Sequence, residues 1–165
     1  MSFRDRVLGD PDTNEGNESD DGFELRAGTG GIIRNFIVMG FKEYGIDFSN
    51  SATLTQWANG TLSLTNGIMF NNAILPGHND FDSDAAPRLS TVSSIVRGQD
   101  PGLIDPYNHD NPNYRPVLAS LAGGQLTPAI PPNDGFFEVT TFIGAVSPDP
   151  ALDWTHEGWT NFDRR

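Results

Sequence analysis

Two stretches of the chain, Ile33-Arg34-Asn35-Phe36-Ile37-Val38-Met39 and Leu64-Thr65-Asn66-Gly67-Ile68-Met69-Phe70, share one pattern 31 residues apart. A second echo sets Asp21-Gly22-Phe23-Glu24-Leu25 against Tyr44-Gly45-Ile46-Asp47-Phe48, 23 residues on. Repetition at spacings of about 20–50 residues marks a chain that winds over itself, each turn burying what its neighbour cannot. The longer spacing implies an inserted loop, placed at residues 49–59. A fainter third turn has Ser93-Ser94-Ile95-Val96 lying 27 residues after Asn66-Gly67-Ile68-Met69, with a polar excursion over 76–87 between them. Asn is poor in strands, so its recurrence at Asn35 and Asn66 between apolar residues predicts a bend. There the two side chains stack in a ladder.

Composition supports strands. Gly (18) and Pro (12) are plentiful, and no window of eleven or more residues keeps a helical apolar spacing. Phe23 and Leu25 alternate with Glu24 and Arg26, as on a half-buried strand. The expected fold is all-β, a short right-handed parallel β-helix (β-solenoid) with an aromatic-rich C-terminal cap. Residues 1–21 form an acidic, mobile N-terminal segment. Residues 22–133 form the coils with their inserted loops, and 134–165 the cap, with Phe136, Phe137, Phe142, Trp154, Trp159 and Phe162 closing the last coil.

These repeat units, with Gln99-Asp100-Pro101-Gly102-Leu103-Ile104-Asp105-Pro106 and Asn113-Tyr114-Arg115-Pro116 after them, resemble right-handed parallel β-helix proteins of the pectin-lyase-like superfamily. Residues 134–162 resemble the C-terminal ends of uncharacterised bacterial secreted or surface β-helix proteins. The resemblance implies an extracellular or cell-surface location. The superfamily includes lyases and hydrolases, but their catalytic motifs map onto no positions here.

With 10 basic and 22 acidic residues the formal charge is −12, which excludes nucleic acid as a partner, since phosphate binding needs basic surface. Cysteine is absent, removing disulfide and thiolate chemistry. No apolar run approaches the roughly 20 residues of a membrane span, and no signal peptide is visible behind Met1.

The 23-residue echo sets Glu24 and Asp47 at equivalent outward positions on neighbouring turns, with backbones ~4.8 Å apart. Stacked carboxylates call for a cation, a basic neighbour such as Arg26 or Arg34, or a raised pKa. At such a separation they also suit a retaining glycosidase, which makes them the candidate catalytic pair. Asp80, Asp82 and Asp84 alternate like the start of a calcium loop, without the Gly and Glu that an EF-hand needs at its sixth and twelfth positions. They are the candidate calcium ligands. Trp57, in the inserted loop, is the candidate ligand-binding residue: an indole on a loop can stack on a sugar face or fold back over the core. His78, His109 and His156 have no metal-ligand spacing.

The expected function is a non-catalytic module of structural, adhesive or glycan-binding role, with glycans or extracellular matrix as partners and calcium as a structural ion. The alternatives are a polysaccharide lyase or glycoside hydrolase, and a subunit of an extracellular assembly stacked through open coil ends. Such an assembly would use self-association, or continuation of a longer chain, at the N-terminal coil.

Overall fold

A computed structural model describes residues 20–73, 77–108 and 110–161. The acidic segment expected over 1–21 lies outside the described residues except for Asp20 and Asp21, as do His109 and Phe162. In chain order the elements are β1 (Phe23–Leu25), β2 (Gly31–Met39), β3 (Ile46–Phe48), α1 (Ser51–Ala58), β4 (Leu62–Phe70), α2 (Ala86–Leu89), β5 (Ile95–Arg97), β6 (Leu103–Asp105) and β7 (Asn113–Pro116). Helical turns at Leu121–Gln125, Pro150–Leu152 and Trp154–His156 follow.

Both spacings in the sequence are strand registers. β1 and β3 pair in parallel with Phe23 beside Ile46, Glu24 beside Asp47 and Leu25 beside Phe48. β2 and β4 pair in parallel with Ile33 beside Leu64 and Phe36 beside Gly67. Strands approach closely where the echo carries glycine. A Cβ on Gly45 would sit 2.2 Å from Met69 Cε and 3.0 Å from the Asp80 carbonyl oxygen. One cluster of buried side chains joins the two sheets, with Leu25, Ile46 and Phe48 on one side and Phe36, Val38, Leu64 and Met69 on the other. A second cluster, Ile37, Met39, Ile68, Ala122 and Ile143, covers the opposite face of β2 and β4.

Asn35 and Asn66 both take left-handed backbone angles, with φ of 56° and 54°. Asn tolerates this region better than other side-chain-bearing residues. One such residue resets the alternation, so Ile33 and Phe36, three apart, both meet the first cluster. From Phe36 onward β2 is buried on both faces. The expected ladder does not form between the two amides. Asn35 Nδ2 donates to the Ala129 carbonyl (3.0 Å), the Ala129 N–H donates to Asn35 Oδ1 (2.7 Å), and Asn66 Nδ2 donates to the Thr127 carbonyl (3.1 Å). The bend grips a distant segment instead.

The expected β-helix is not the fold. The described residues form a small α/β fold with separate sheets: β1-β3 and β2-β4-β5 parallel, β6-β7 antiparallel, and neither a solenoid nor a closed sheet. A solenoid needs successive turns of like geometry. Here the register offset changes from 23 to 31 to 28, and Leu103–Asp105, expected to close the last coils, pairs antiparallel with Asn113–Pro116.

Three local expectations change with it. The third repeat pairs Gly67 with Ile95 and Ile68 with Val96, one residue away from the 27-residue alignment. Ser94 sets this register: its hydroxyl accepts from the Asn66 N–H (3.1 Å) and its carbonyl from the Gly67 N–H (3.1 Å). The slip carries Ile95 into the first cluster. The loop placed at 49–59 is helix α1, capped by Asn50 Oδ1 accepting from the Thr53 N–H (3.1 Å). The aromatic C-terminal segment does not form a buried cap, for Phe136 is 83% and Trp159 72% exposed. Ile143, fully buried in the second cluster, plugs that face instead.

Candidate functional site: an aromatic-walled groove beside β2

Three of the exposed aromatics, Phe137, Trp154 and Trp159, border a groove of about 1120 Å³. Its floor is made by Phe23 from β1 and by the core residues Phe36 and Ile37 and the exposed Ile32 from β2, and Phe23 meets Phe36 edge-on at 5.6 Å. Its walls come from Pro131 and Pro132, from Phe137, and from Ile143 to Val146 with Trp154 and Trp159.

Named contacts hold each wall. The Asn35 and Asn66 amides fix residues 127–129 and so aim the two prolines. The Ile143 N–H donates to the Ala122 carbonyl (2.8 Å) and the Gly144 N–H to the Asn35 carbonyl (2.8 Å). Trp154 Nε1 donates to the Ala145 carbonyl (2.7 Å), and the Trp159 indole stacks on Trp154 at 5.4 Å and 6°. The turn carrying Trp154 is capped by Asp153, whose Oδ1 accepts from the Thr155 N–H (3.0 Å) and hydroxyl (2.5 Å). Its Oδ2 lies 3.4 Å from Arg115 Nε and 3.3 Å from His156 Nδ1. Burial pushes the Asp153 pKa up, but the Thr155 hydrogen bonds and His156 outweigh it, and the net shift is downward.

The expected carboxylate pair lies elsewhere. Glu24 and Asp47 are register neighbours, and an isolated parallel bridge between Ile46 and Phe81 sets Asp82 next along the same column. Glu24 is paired with Arg26 (3.0 Å), while Arg34 turns away to the Ile130 carbonyl (3.3 Å). The Ser49 hydroxyl donates to Asp47 Oδ2 (2.5 Å) and lies 3.5 Å from Glu24 Oε1. Burial raises the Asp47 pKa, the Ser49 hydrogen bond opposes it, and Asp82, Glu24 and Asp84 add to the rise. Nearby, burial lifts Asp21 to about 6 against the hydrogen bond from the Tyr44 N–H, with Asp47, Glu43 and Asp20 adding to the rise. Neither Glu24 nor Asp47 lines the groove.

The three candidate calcium ligands do not converge. Asp80 binds Arg97 (2.9 Å) and accepts from Asn72 Nδ2 (3.2 Å). Asp82 accepts from the N–H groups of Phe48 (3.1 Å), Ala85 (2.8 Å) and Asp84 (2.8 Å), and so fastens the start of α2 to β3. The Asp84 carbonyl accepts from Arg88. Among the described residues no group of three or more His, Cys, Asp or Glu side chains could hold a metal ion. Trp57 stands on α1, half-buried, with its ring 5.8 Å from that of Phe48.

The groove itself escapes the sequence reading. Trp154, Trp159 and Phe137 stand out as aromatics, but composition gives no sign of their exposure. The Pro131-Pro132 pair is the one local cue to an extended, solvent-facing wall. Among the described residues no helix is long and apolar enough to cross a membrane. Comparison with protein-family models, curated proteins and solved structures finds no match, so nothing there identifies the pectin-lyase-like superfamily.

Proposed function

We propose that the protein is a non-catalytic binding module of adhesive or structural role, acting through the groove beside β2. The observation that carries this reading is the groove: an open, mostly apolar trough bordered by aromatic rings that stay exposed, although the chain has core enough to bury them. Apolar surface held open to water by hydrogen-bonded walls costs free energy unless a ligand covers it. An anilinonaphthalene sulfonate dye tests the site. Binding weakened several-fold by Trp159→Ala or Phe137→Ala, with the melting temperature kept, supports the groove. Binding indifferent to both substitutions overturns it.

One observation favours a glycan as ligand. Trp154 is tethered and Trp159 stacks on it, leaving the outer indole face at the groove rim, a platform suited to the apolar face of a sugar ring. An array of neutral glycans checks this, with Trp159→Ala as the control. No catalytic role is proposed, because Glu24 and Asp47 lie outside the groove that would hold a substrate.

A further inference from the structure

We infer that Asn59 is a site of spontaneous covalent modification, where the chain converts its own asparagine to isoaspartate and aspartate. The reaction needs an asparagine followed by a residue whose backbone nitrogen can reach the side-chain carbonyl carbon. Glycine serves best, because it has no Cβ to block the approach and its backbone turns freely. The sequence holds two such dipeptides, Asn59-Gly60 and Asn66-Gly67. Their surroundings in the fold are opposite.

Asn59 is the C-cap of α1, and Asn59, Gly60 and Thr61 are all exposed. The Asn59 carboxamide has no hydrogen-bond partner among the described residues. Ring closure must rotate ψ of Asn59 away from −4°. The rotation frees the Gly60 N–H from the Trp57 carbonyl (3.0 Å), at a helix end, where fraying is easy. Asn66 lies inside β4, between β2 and β5. Its N–H donates to the Ser94 hydroxyl (3.1 Å), the Gly67 N–H to the Ser94 carbonyl (3.1 Å), and its carboxamide to the Thr127 carbonyl (3.1 Å). Gly67 is buried under the Phe36 ring. Here the attacking nitrogen and the attacked carboxamide are both tied, and freeing them requires parting β4 from its neighbours.

The step at Asn59 balances. The Gly60 nitrogen attacks Asn59 Cγ, its proton passes through solvent to Nδ2, and the Cγ–Nδ2 bond breaks to release ammonia. Water then opens the resulting succinimide. Opening at the backbone carbonyl leaves isoaspartate, and opening at the side-chain carbonyl leaves aspartate. Either product sets a carboxylate at the negative end of the α1 dipole, whose last turn carries no basic residue. Isoaspartate also lengthens the main chain by one carbon just before Thr61. The Thr61 carbonyl accepts from the Gly31 N–H (2.7 Å) where β2 begins its pairing with β4.

The test ages the full chain in mildly alkaline buffer, folded or in urea, and follows both sites by peptide mass spectrometry with fragment ions that separate them. In the folded protein, conversion at Asn59 is expected at least about tenfold faster than at Asn66, and the two rates should converge in urea. Comparable rates at the two sites of the folded protein overturn the assignment. So does a folded Asn59 that stays intact while the chain in urea converts. Rates that stay apart in urea overturn it as well, since flanking sequence and not the fold would then make the choice.

Discussion

Asn35 performs two tasks with one side chain. Its backbone holds φ at 56°, and its amide both donates to and accepts from Ala129. The tasks separate by substitution. Asn35→Gly keeps the turn and loses the amide bonds, at a cost of about 1–2 kcal/mol. Asn35→Ala loses the bonds and also strains the left-handed residue, adding about 1 kcal/mol. Urea unfolding should therefore rank wild type above Gly above Ala; equal midpoints for the two variants would show that the turn is not under constraint. The recurrence of Asn was legible because Asn is out of place in a strand. Its partner was not: Thr127 and Ala129 lie 61 and 94 residues away, in a stretch with no pattern of its own. The carboxylates divide likewise. The 23-residue echo placed Glu24 and Asp47 side by side, but Asp82 reads as a calcium-type oxygen, while its N–H partners, Phe48 on β3 and Asp84 and Ala85 at the start of α2, belong to a junction that spacing alone conceals.

At the scale of elements, parallel pairing could be read because each register repeats a recognisable string of residues. Gly67 shows what that string encodes. A Cβ there would stand 2.2 Å from Phe36 Cζ, so the Phe36 ring lies over the bare backbone of the neighbouring strand. Gly67→Ala should cost about 1–3 kcal/mol by overpacking. In a double-mutant cycle with Phe36→Ala the clash disappears, and the two costs should fall clearly short of additive. Additive costs would mean the ring is free to move aside. The third register was missed by one residue because Ile95-Val96 fits either alignment in hydrophobicity, and the choice rests with the Ser94 hydrogen bonds. Helix α1 escaped notice for a different reason. Its eight residues are too few to display a helical period, and Thr53 and Thr55 read as strand formers.

For the whole molecule, the two stronger repeats matched the registers of β1–β3 and β2–β4, and the architecture drawn from them was incorrect. Two matched strings establish that two strands lie together; they do not oblige the chain to keep winding, and after β5 it turns to an antiparallel pair and loops. The excess of acid is a global property with a measurable consequence. Asp21 titrates at about 6 in the folded protein against 3.8 ordinarily, and Asp47 shifts in the same direction. A raised pKa means the folded state holds protons that the unfolded state releases, so this stabilisation is full below about pH 4 and is lost as pH rises through about 6. Chemical denaturation should find the protein more stable at pH 5 than at pH 7. Asp21→Asn, whose carbonyl can still accept from Tyr44, should raise stability at pH 7 by roughly 1 kcal/mol, allowing for solvent at a half-buried group, and flatten the slope. A steeper slope in the variant would refute the assignment. The placement of the indoles has a practical side. Two of the three tryptophans, Trp154 and Trp159, border the groove, while Trp57 packs on Phe48 against the first core cluster and does not line the groove. The protein thus carries its own unlabelled optical reporter: emission from the stacked pair should follow occupancy, and in a Trp57→Phe background the two signals, filling and unfolding, can be recorded apart.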